Sequence, residues 1–234
     1  MRFLKTIGSS LLQLFYPAVC AGCGSDAVGD DSQLCAFCLQ ELPVTGFENH
    51  SPNPIETLLM GRVGFQKATA QFYFSKESLL QRLIHQVKYQ GNQLLGRQLG
   101  VIIGNQLKDS NRFGDIDVLL PLPLFEKNEW KRGYNQSRVL CQGIQEVLQV
   151  PIVDGVVLRP SFTESQTRKN RTERWQNMAG KFLLSDASKI EHAHVLLVDD
   201  VITTGATLES CAIEILKAPG ATVSIATLCF AGRF

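Results

Sequence analysis

The sequence predicts an α/β fold in which a parallel β-sheet is covered by helices on both faces. Short apolar runs, such as 116–120 and 195–198, alternate along the chain with segments whose apolar residues recur at helical spacing. The apolar runs are continuous, as in strands that are buried on both faces of a sheet. With 234 residues and a hydrophobic fraction of 44%, the chain is long and apolar enough to build a sizeable core.

The same pattern places the individual elements along the chain. Strands are expected over 68–74, 116–120, 152–158, 195–198 and 222–229. Helices are expected over 79–90, 94–107, 135–149 and 208–217. Gly96, Gly100 and Gly104 should weaken the second helix, because glycine is a poor helix former.

The charge balance argues against a chain that binds nucleic acid over its whole surface. Lys and Arg number 23 against 22 Asp and Glu, a net charge of +1, so only local basic patches could serve that role. The first 19 residues weakly resemble a secretory signal, but polar residues interrupt the apolar run and Pro17 stops it. We therefore expect an amphipathic helix there, a cytoplasmic protein and no membrane span.

Four of the seven cysteines form two pairs with the spacing of metal ligands, Cys20-x2-Cys23-x11-Cys35-x2-Cys38. Two such turns can place four thiolates around one Zn²⁺. The alternative is two disulfides, which require an oxidising compartment. Four thiolates leave no open coordination position, so the zinc is expected to be structural. The remaining cysteines are expected to be buried and inert.

The chain is expected to comprise three regions. An N-terminal helix and a small zinc-ribbon-like module would span 1–42, and a linker with several prolines would span 43–67. The main α/β domain would span 68–234. The cysteine module is too small to hold a core without its metal.

The stretch VLLVDDVITTGATL (195–208) combines an apolar strand, two aspartates and a turn into a helix. Ligands of parallel α/β sheets bind beyond the carboxyl ends of the strands. A turn through Gly205 into a helix N-terminus forms a phosphate cradle, to which threonine hydroxyls can contribute. Asp199 and Asp200 are acceptors suited to ribose hydroxyls or to Mg²⁺. These features predict a ligand with a sugar diol and a phosphate.

Other interpretations of this stretch fit less well. Asp and Thr at a helix start could simply cap it, but capping does not require two aspartates together with three threonines and a glycine. The sequence contains neither the P-loop pattern G-x-x-x-x-G-K-[ST] nor the dinucleotide fingerprint G-x-G-x-x-G there.

The stretch resembles the phosphoribosyl pyrophosphate (PRPP) signature of type I phosphoribosyltransferases. More specifically, the chain resembles the ComF family of phosphoribosyltransferase-like proteins. Two further stretches, LLPLPLFEKNEWKRGYNQS (119–137) and ESQTRKNRTERWQNMAGKF (164–182), match that family, as does the paired-cysteine module. The resemblance covers nearly the whole chain and is weakest over 43–75. It implies a type I phosphoribosyltransferase-like sheet flanked by helices.

The resemblance implies a role for each matching position. Asp199 and Asp200 would hold the ribose 2- and 3-hydroxyls, and Leu122 and Pro123 would belong to the pyrophosphate loop. The 5-phosphate would be bound by Thr203, Thr204, Gly205, Ala206 and Thr207. The stretch 159–178 would be the flexible loop that closes over the site, where basic side chains could neutralise a departing pyrophosphate. Those side chains are Arg168, Lys169, Arg171 and Arg174. A solvated loop without that role is the alternative.

The family resemblance implies PRPP as ligand, Mg²⁺ bound with it, and an association with competence and DNA uptake. Enzymes for 6-oxopurine bases usually carry an aspartate where this chain has Thr203, which counts against hypoxanthine or guanine as acceptor. Two functions remain open. One is a phosphoribosyl transferase whose acceptor is unidentified. The other is a non-catalytic, PRPP-responsive protein that engages single-stranded DNA or a DNA-uptake partner. The sequence also leaves a homodimer open.

Overall fold

A computed structural model describes residues 19–29, 32–160 and 182–232 of the chain. Its main sheet contains four parallel strands in the order β1-β6-β5-β2. These are β1 (Ala68–Tyr73), β2 (Val118–Pro121), β5 (His194–Ile202) and β6 (Thr222–Phe230). A separate antiparallel pair joins β3 (Val157–Leu158) to β4 (Leu183–Leu184). The helix expected over 1–19 falls almost entirely outside the described residues.

Seven α-helices connect and cover the strands in the described part of the chain. They are α1 (Ala36–Gln40), α2 (Pro54–Leu59), α3 (Leu79–Tyr89), α4 (Gln93–Asp109), α5 (Glu126–Arg132), α6 (Gln136–Leu148) and α7 (Ala206–Ile215). Short 3-10 turns occupy Phe47–Asn49 and Ala187–Lys189. Among these helices none is both long and apolar enough to cross a membrane.

The sheet is buried on both faces, as predicted. On one face, Leu83 of α3, Leu99 of α4 and Leu140 of α6 pack against Leu196 and related strand residues. On the other, residues of α2 and α7 pack against the alternate strand positions, among them Leu197. Side chains of a strand point alternately to the two faces, so a strand between two helical layers must be apolar throughout. This explains why the sequence shows continuous apolar runs.

Two sequence expectations differ from the structure. Strand β5 does not stop before the acidic pair but continues to Ile202, because its ladder to β6 extends as far as Phe230. The strand expected over 152–158 is reduced to a bridge at Ile152 and the short β3. Regular pairing does not continue between these two points.

The stretch 43–67, which was expected to be a linker, contains elements that contact the sheet. Val44 bridges to Phe72 of β1, and Ile55 and Leu59 of α2 are completely buried in the core. The buried Asn53 caps α2 and also donates a hydrogen bond to the Ala68 carbonyl at 2.8 Å. The stretch is therefore packed against the sheet and contributes to its core.

Glycines in α4 allow it to approach α6 very closely. A Cβ atom at Gly100 would lie 2.2 Å from the backbone oxygen of Leu140, and one at Gly143 would lie 2.0 Å from that of Arg97. Gly96 and Gly104 face Val139 and Val147 of α6 in the same way. The glycines lower the helix propensity of α4, but they also permit its close packing against α6.

Candidate functional site

The two acidic side chains of β5 point to opposite faces of the sheet, since neighbouring strand residues alternate. Asp199 accepts a hydrogen bond at 3.0 Å from the hydroxyl of Ser137, at the start of α6. Asp200 forms an ion pair with Lys88, at the end of α3, with 2.6 Å between Oδ2 and Nζ. Sequence reasoning missed both partners. Lys88 looks like an ordinary lysine in the last turn of a helix, where cations are commonly found.

Burial raises the pKa of Asp199 to about 7, and the neighbouring Asp200 carboxylate contributes in the same direction. A buried carboxylate loses its hydration, and a second negative charge nearby opposes its ionisation. The hydrogen bond from Ser137 acts in the opposite direction but does not offset these effects. The two neighbouring carboxylates thus differ in their surroundings, since Asp200 has an ion-pair partner in Lys88 and Asp199 accepts from a neutral hydroxyl.

The turn after β5 forms a small cradle in front of α7. Residues 201–208, together with Asp199, enclose a cavity of about 50 Å³. Gly205 precedes α7 and has a left-handed backbone with φ of 74°. A Cβ atom there would lie 2.8 Å from Leu59 of α2, so both the backbone conformation and the space require glycine. The structure places Thr203, Thr204, Ala206 and Thr207 around this cradle.

Arg62 supports the cradle from the stretch that follows α2. Its Nη1 donates a hydrogen bond to the backbone oxygen of Thr204 at 2.6 Å, and its guanidinium also pairs with Glu209 of α7. The carbonyl of Thr204 is thus engaged by Arg62. This contact joins α2, the turn and α7, and sequence reasoning did not find it.

The loop after β2 lies beside the acidic pair. The backbone N–H of Leu122 donates to the Val198 carbonyl at 2.9 Å, and its own carbonyl accepts from the Asn135 side chain at 3.0 Å. Leu122 is buried, whereas Pro123 lines an open cavity. Leu122 and Pro123 are thereby positioned next to the carboxyl end of β5.

The segment 132–137 connects three helices near the acidic pair. Gly133 ends α5 in a left-handed conformation, and the hydroxyl of Tyr134 donates to the Val87 carbonyl of α3. Asn135 caps α6 as well as binding the loop after β2. Gln136 accepts from Arg132 at 2.7 Å. Together with Ser137, these residues connect α3, α5 and α6 to the acidic pair.

A larger cavity of about 360 Å³ opens beside the loop after β2. The Arg159 guanidinium lies over the Phe125 ring at 3.9 Å from its centroid and at 5.1 Å from that of Phe182. Burial lowers the pKa of Arg159, while the charge of Asp199 acts in the opposite direction. The cavity has the size of a small-molecule site and carries a cation near the acidic pair. It is lined by residues of the loop after β2, α5, α6 and 153–160.

The expected lid residues lie outside the described part of the chain. They are Arg168, Lys169, Arg171 and Arg174, which fall between β3 and β4. Because β3 pairs with β4, the two ends of this segment are adjacent at the edge of the larger cavity.

The four paired cysteines converge into a single cluster. Their sulfur atoms all lie within 4.8 Å of one another, and those of Cys23 and Cys35 are 3.7 Å apart. Tetrahedral zinc with Zn–S bonds of about 2.3 Å would place its ligands about 3.8 Å apart. The backbone N–H groups of Gly22 and Cys35 also donate to the sulfur of Cys20. The donor set fits a closed, structural metal site.

The comparisons with known proteins agree with the fold. Residues 137–233 match the phosphoribosyl transferase domain family. DNA utilization protein YhgH of Escherichia coli O157:H7 is 29% identical over 222 residues, covering 93% of this chain and 92% of that protein. Competence protein F of Haemophilus influenzae is 32% identical over 130 residues, covering 54% of this chain and 57% of that protein.

Among solved structures, adenine phosphoribosyl transferase from Trypanosoma brucei aligns with a TM-score of 0.38 and 18% identity. The alignment covers 68% of this chain and 83% of that one.

A parallel sheet between two helical layers, an acidic pair at the end of a central strand and the matched domain define a phosphoribosyltransferase-like protein. The chain is similar to competence and DNA utilization proteins, and it also contains the cysteine cluster. These findings support a ComF family phosphoribosyltransferase-like protein.

Proposed function

We propose that the protein binds PRPP as its Mg²⁺ complex and transfers the phosphoribosyl group to an acceptor. The observation that carries this proposal is the placement of Asp199 and Asp200 directly before the cradle of Gly205 and α7. Carboxylates accept hydrogen bonds from a ribose diol, and a helix N-terminus with a preceding turn binds phosphate. Both recognition elements lie on one continuous segment of chain.

Each part of the site would have a separate task in this reaction. The turn 203–207 would hold the 5-phosphate, and the acidic pair would orient the ribose. The loop at Leu122 and Pro123 would receive the pyrophosphate, with Arg159 nearby to stabilise its negative charge. Bound Mg²⁺ would neutralise charge on the pyrophosphate. The bond from the anomeric carbon to pyrophosphate would break as the acceptor's nucleophilic atom forms its bond to that carbon.

Calorimetric titration of Mg²⁺–PRPP tests the site. The double variant Asp199→Asn/Asp200→Asn should remain folded and lose at least about tenfold in affinity, because neutral amides accept more weakly than carboxylates. Asp109→Asn, an exposed change on α4, is the matched control and should bind as the wild type does. Undiminished affinity in a folded double variant would refute the assignment.

One observation favours a second candidate function, the binding of single-stranded DNA. Trp130 on α5 is 88% exposed, and Lys131 follows it directly. Aromatic stacking and nearby cations are the usual means of holding single strands. Tyr134, in contrast, is tied to α3 through its hydroxyl. Two similar proteins are named Competence protein F and DNA utilization protein YhgH, which is consistent with this candidate.

A titration of single-stranded DNA with and without PRPP tests this second function. Trp130→Ala and Lys131→Glu should each weaken binding, and the affinity should fall steeply with added salt. Exposed Lys108→Glu on α4 provides a charge-matched control. If the protein does not bind single-stranded DNA at moderate salt, or if these substitutions leave the affinity unchanged, α5 has no role in DNA binding.

We further propose that the cysteine cluster holds Zn²⁺ and that the protein acts in the cytoplasm. Four thiolates in a closed set favour zinc over magnesium or calcium, which prefer oxygen ligands. Elemental analysis of protein purified without chelator should find one zinc per chain, and a metal-free or iron-containing product would contradict this assignment.

A further inference from the structure

The ion pair of Lys88 and Asp200 engages a carboxylate that the proposed ribose site needs. Lys88 Nζ lies 2.6 Å from Asp200 Oδ2, and the two side chains are only 21% and 16% exposed. Asp199, by contrast, is held by a neutral hydroxyl. The unliganded protein therefore supplies its own cation to one member of the acidic pair.

One buried amide near Lys88 is incompletely satisfied. Gln136 is 2% exposed, and its Nε2 has no hydrogen-bond partner in the described part of the chain. Lys88, Gln136 and Asp200 line one small cavity. Arg132, which binds the other end of the Gln136 amide, lies with its guanidinium 5.6 Å from the Tyr89 ring centroid. Lys88 thus shares one small cavity with Asp200 of β5 and Gln136 at the start of α6.

We propose that Lys88 is an exchanging counter-ion that moves from Asp200 to the pyrophosphate of the bound ligand. This inference rests on the proposed function. In the empty site the ammonium would offset repulsion between the two carboxylates. When the ribose hydroxyls donate to Asp200, the long lysine side chain would turn toward the newly arrived negative charge.

Two ligands test separately the release of Asp200 by Lys88 and the pairing of Lys88 with the pyrophosphate. Ribose 5-phosphate has the diol and the phosphate but no pyrophosphate, whereas Mg²⁺–PRPP has all three. Lys88→Met keeps a side chain of similar length and removes its charge. The variant should bind ribose 5-phosphate about threefold more tightly or better, because a competitor for Asp200 is gone. It should bind Mg²⁺–PRPP about tenfold more weakly, because an anion partner is gone.

Two further variants keep the experiment specific to Lys88. Lys88→Arg retains the charge and should recover most of the PRPP affinity. Lys108→Met removes an exposed charge on α4 and should change neither affinity. If Lys88→Met shifts both affinities in the same direction, or shifts neither, the exchange is refuted while PRPP binding stands. A wild-type protein that binds neither ligand would refute the proposed function, and the exchange with it.

Discussion

The acidic pair shows how two identical neighbouring residues acquire different properties. Asp200 has an ammonium partner, whereas the Asp199 carboxylate accepts from the neutral hydroxyl of Ser137. Burial is the main cause of the raised pKa of Asp199, and the neighbouring Asp200 charge adds to it. A buried carboxylate without a cation costs folding free energy, and functional sites commonly carry such costs.

Replacing each aspartate with asparagine should therefore change stability in opposite directions. Asp199→Asn keeps an acceptor for Ser137 and removes a buried charge, so it should stabilise the unliganded protein by about 1 kcal/mol or more at pH 7.5. Asp200→Asn leaves the ammonium of Lys88 half-buried without its partner and should destabilise by about 1–2 kcal/mol. Chemical denaturation of both variants measures these changes.

The Asp199 effect should also depend on pH. The folded protein holds the Asp199 proton up to about pH 7, whereas the unfolded chain releases it near pH 4. The stability that this proton contributes is present below pH 4 and is lost as pH rises through about 7. The advantage of Asp199→Asn over the wild type should thus be smallest near pH 4 and grow toward pH 8. An advantage that stays constant across this range would contradict the raised pKa.

At the scale of secondary-structure elements, close contact between helices explains residues that local propensity disfavours. Gly100 and Gly143 lie where α4 and α6 touch backbone to backbone. Gly100→Ala should destabilise the protein by about 2–3 kcal/mol, because the added Cβ has no space beside the Leu140 carbonyl. Gly114→Ala is the control, since a Cβ there meets nothing within 4 Å. Thermal unfolding of the two variants gives the comparison, and equal midpoints would contradict the packing argument.

The contact between Arg62 and the cradle predicts an effect on ligand binding that exceeds its effect on stability. Arg62→Leu should weaken Mg²⁺–PRPP binding about five- to tenfold, because the Thr204 carbonyl is no longer held. Its stability should change by less than about 1 kcal/mol, since partly exposed ion pairs contribute little. Glu209→Gln removes the ion pair but leaves the bond to Thr204, and should bind nearly as the wild type does. Equal losses in both variants would assign the effect to the ion pair.

The strands, the helices and the acidic pair could be predicted because their signals are local. Apolar runs mark β2, β5 and β6. The two aspartates and the Thr-Thr-Gly-Ala-Thr sequence after them mark the acidic pair and the turn that follows β5. The end of β5 could not be predicted from the sequence, because the length of this strand depends on its pairing with β6. Prolines made 43–67 look like a linker, although Pro54 begins a helix that Asn53 caps. Lys88 was missed since its partner lies far along the chain.

At the scale of the whole molecule, the cysteine cluster and the sheet share one hydrophobic core. Cys20, Leu34 and Cys38 are buried in the same cluster as Leu83 of α3 and Leu95 of α4. Hydrogen bonds cross the boundary as well. The Gln86 side chain donates to the Ala21 carbonyl at 2.7 Å, and the backbone N–H of Gln33 donates to Gln98 at 2.6 Å. The cysteine module and the larger α/β region therefore do not have separate cores in the described part of the chain. The division at residues 42 and 67 stays a prediction.

Removing one metal ligand should consequently affect the entire protein. Cys35→Ser should release the metal and lower the free energy of unfolding by about 3 kcal/mol or more, because the module then loses its fixed surface against α3 and α4. Calorimetry should show a single transition at lower temperature, since the shared core unfolds as one unit. Cys141→Ala, a change of a buried thiol outside the cluster, should keep its metal and lose less stability. A second transition at the wild-type temperature would instead show that the sheet folds without the module.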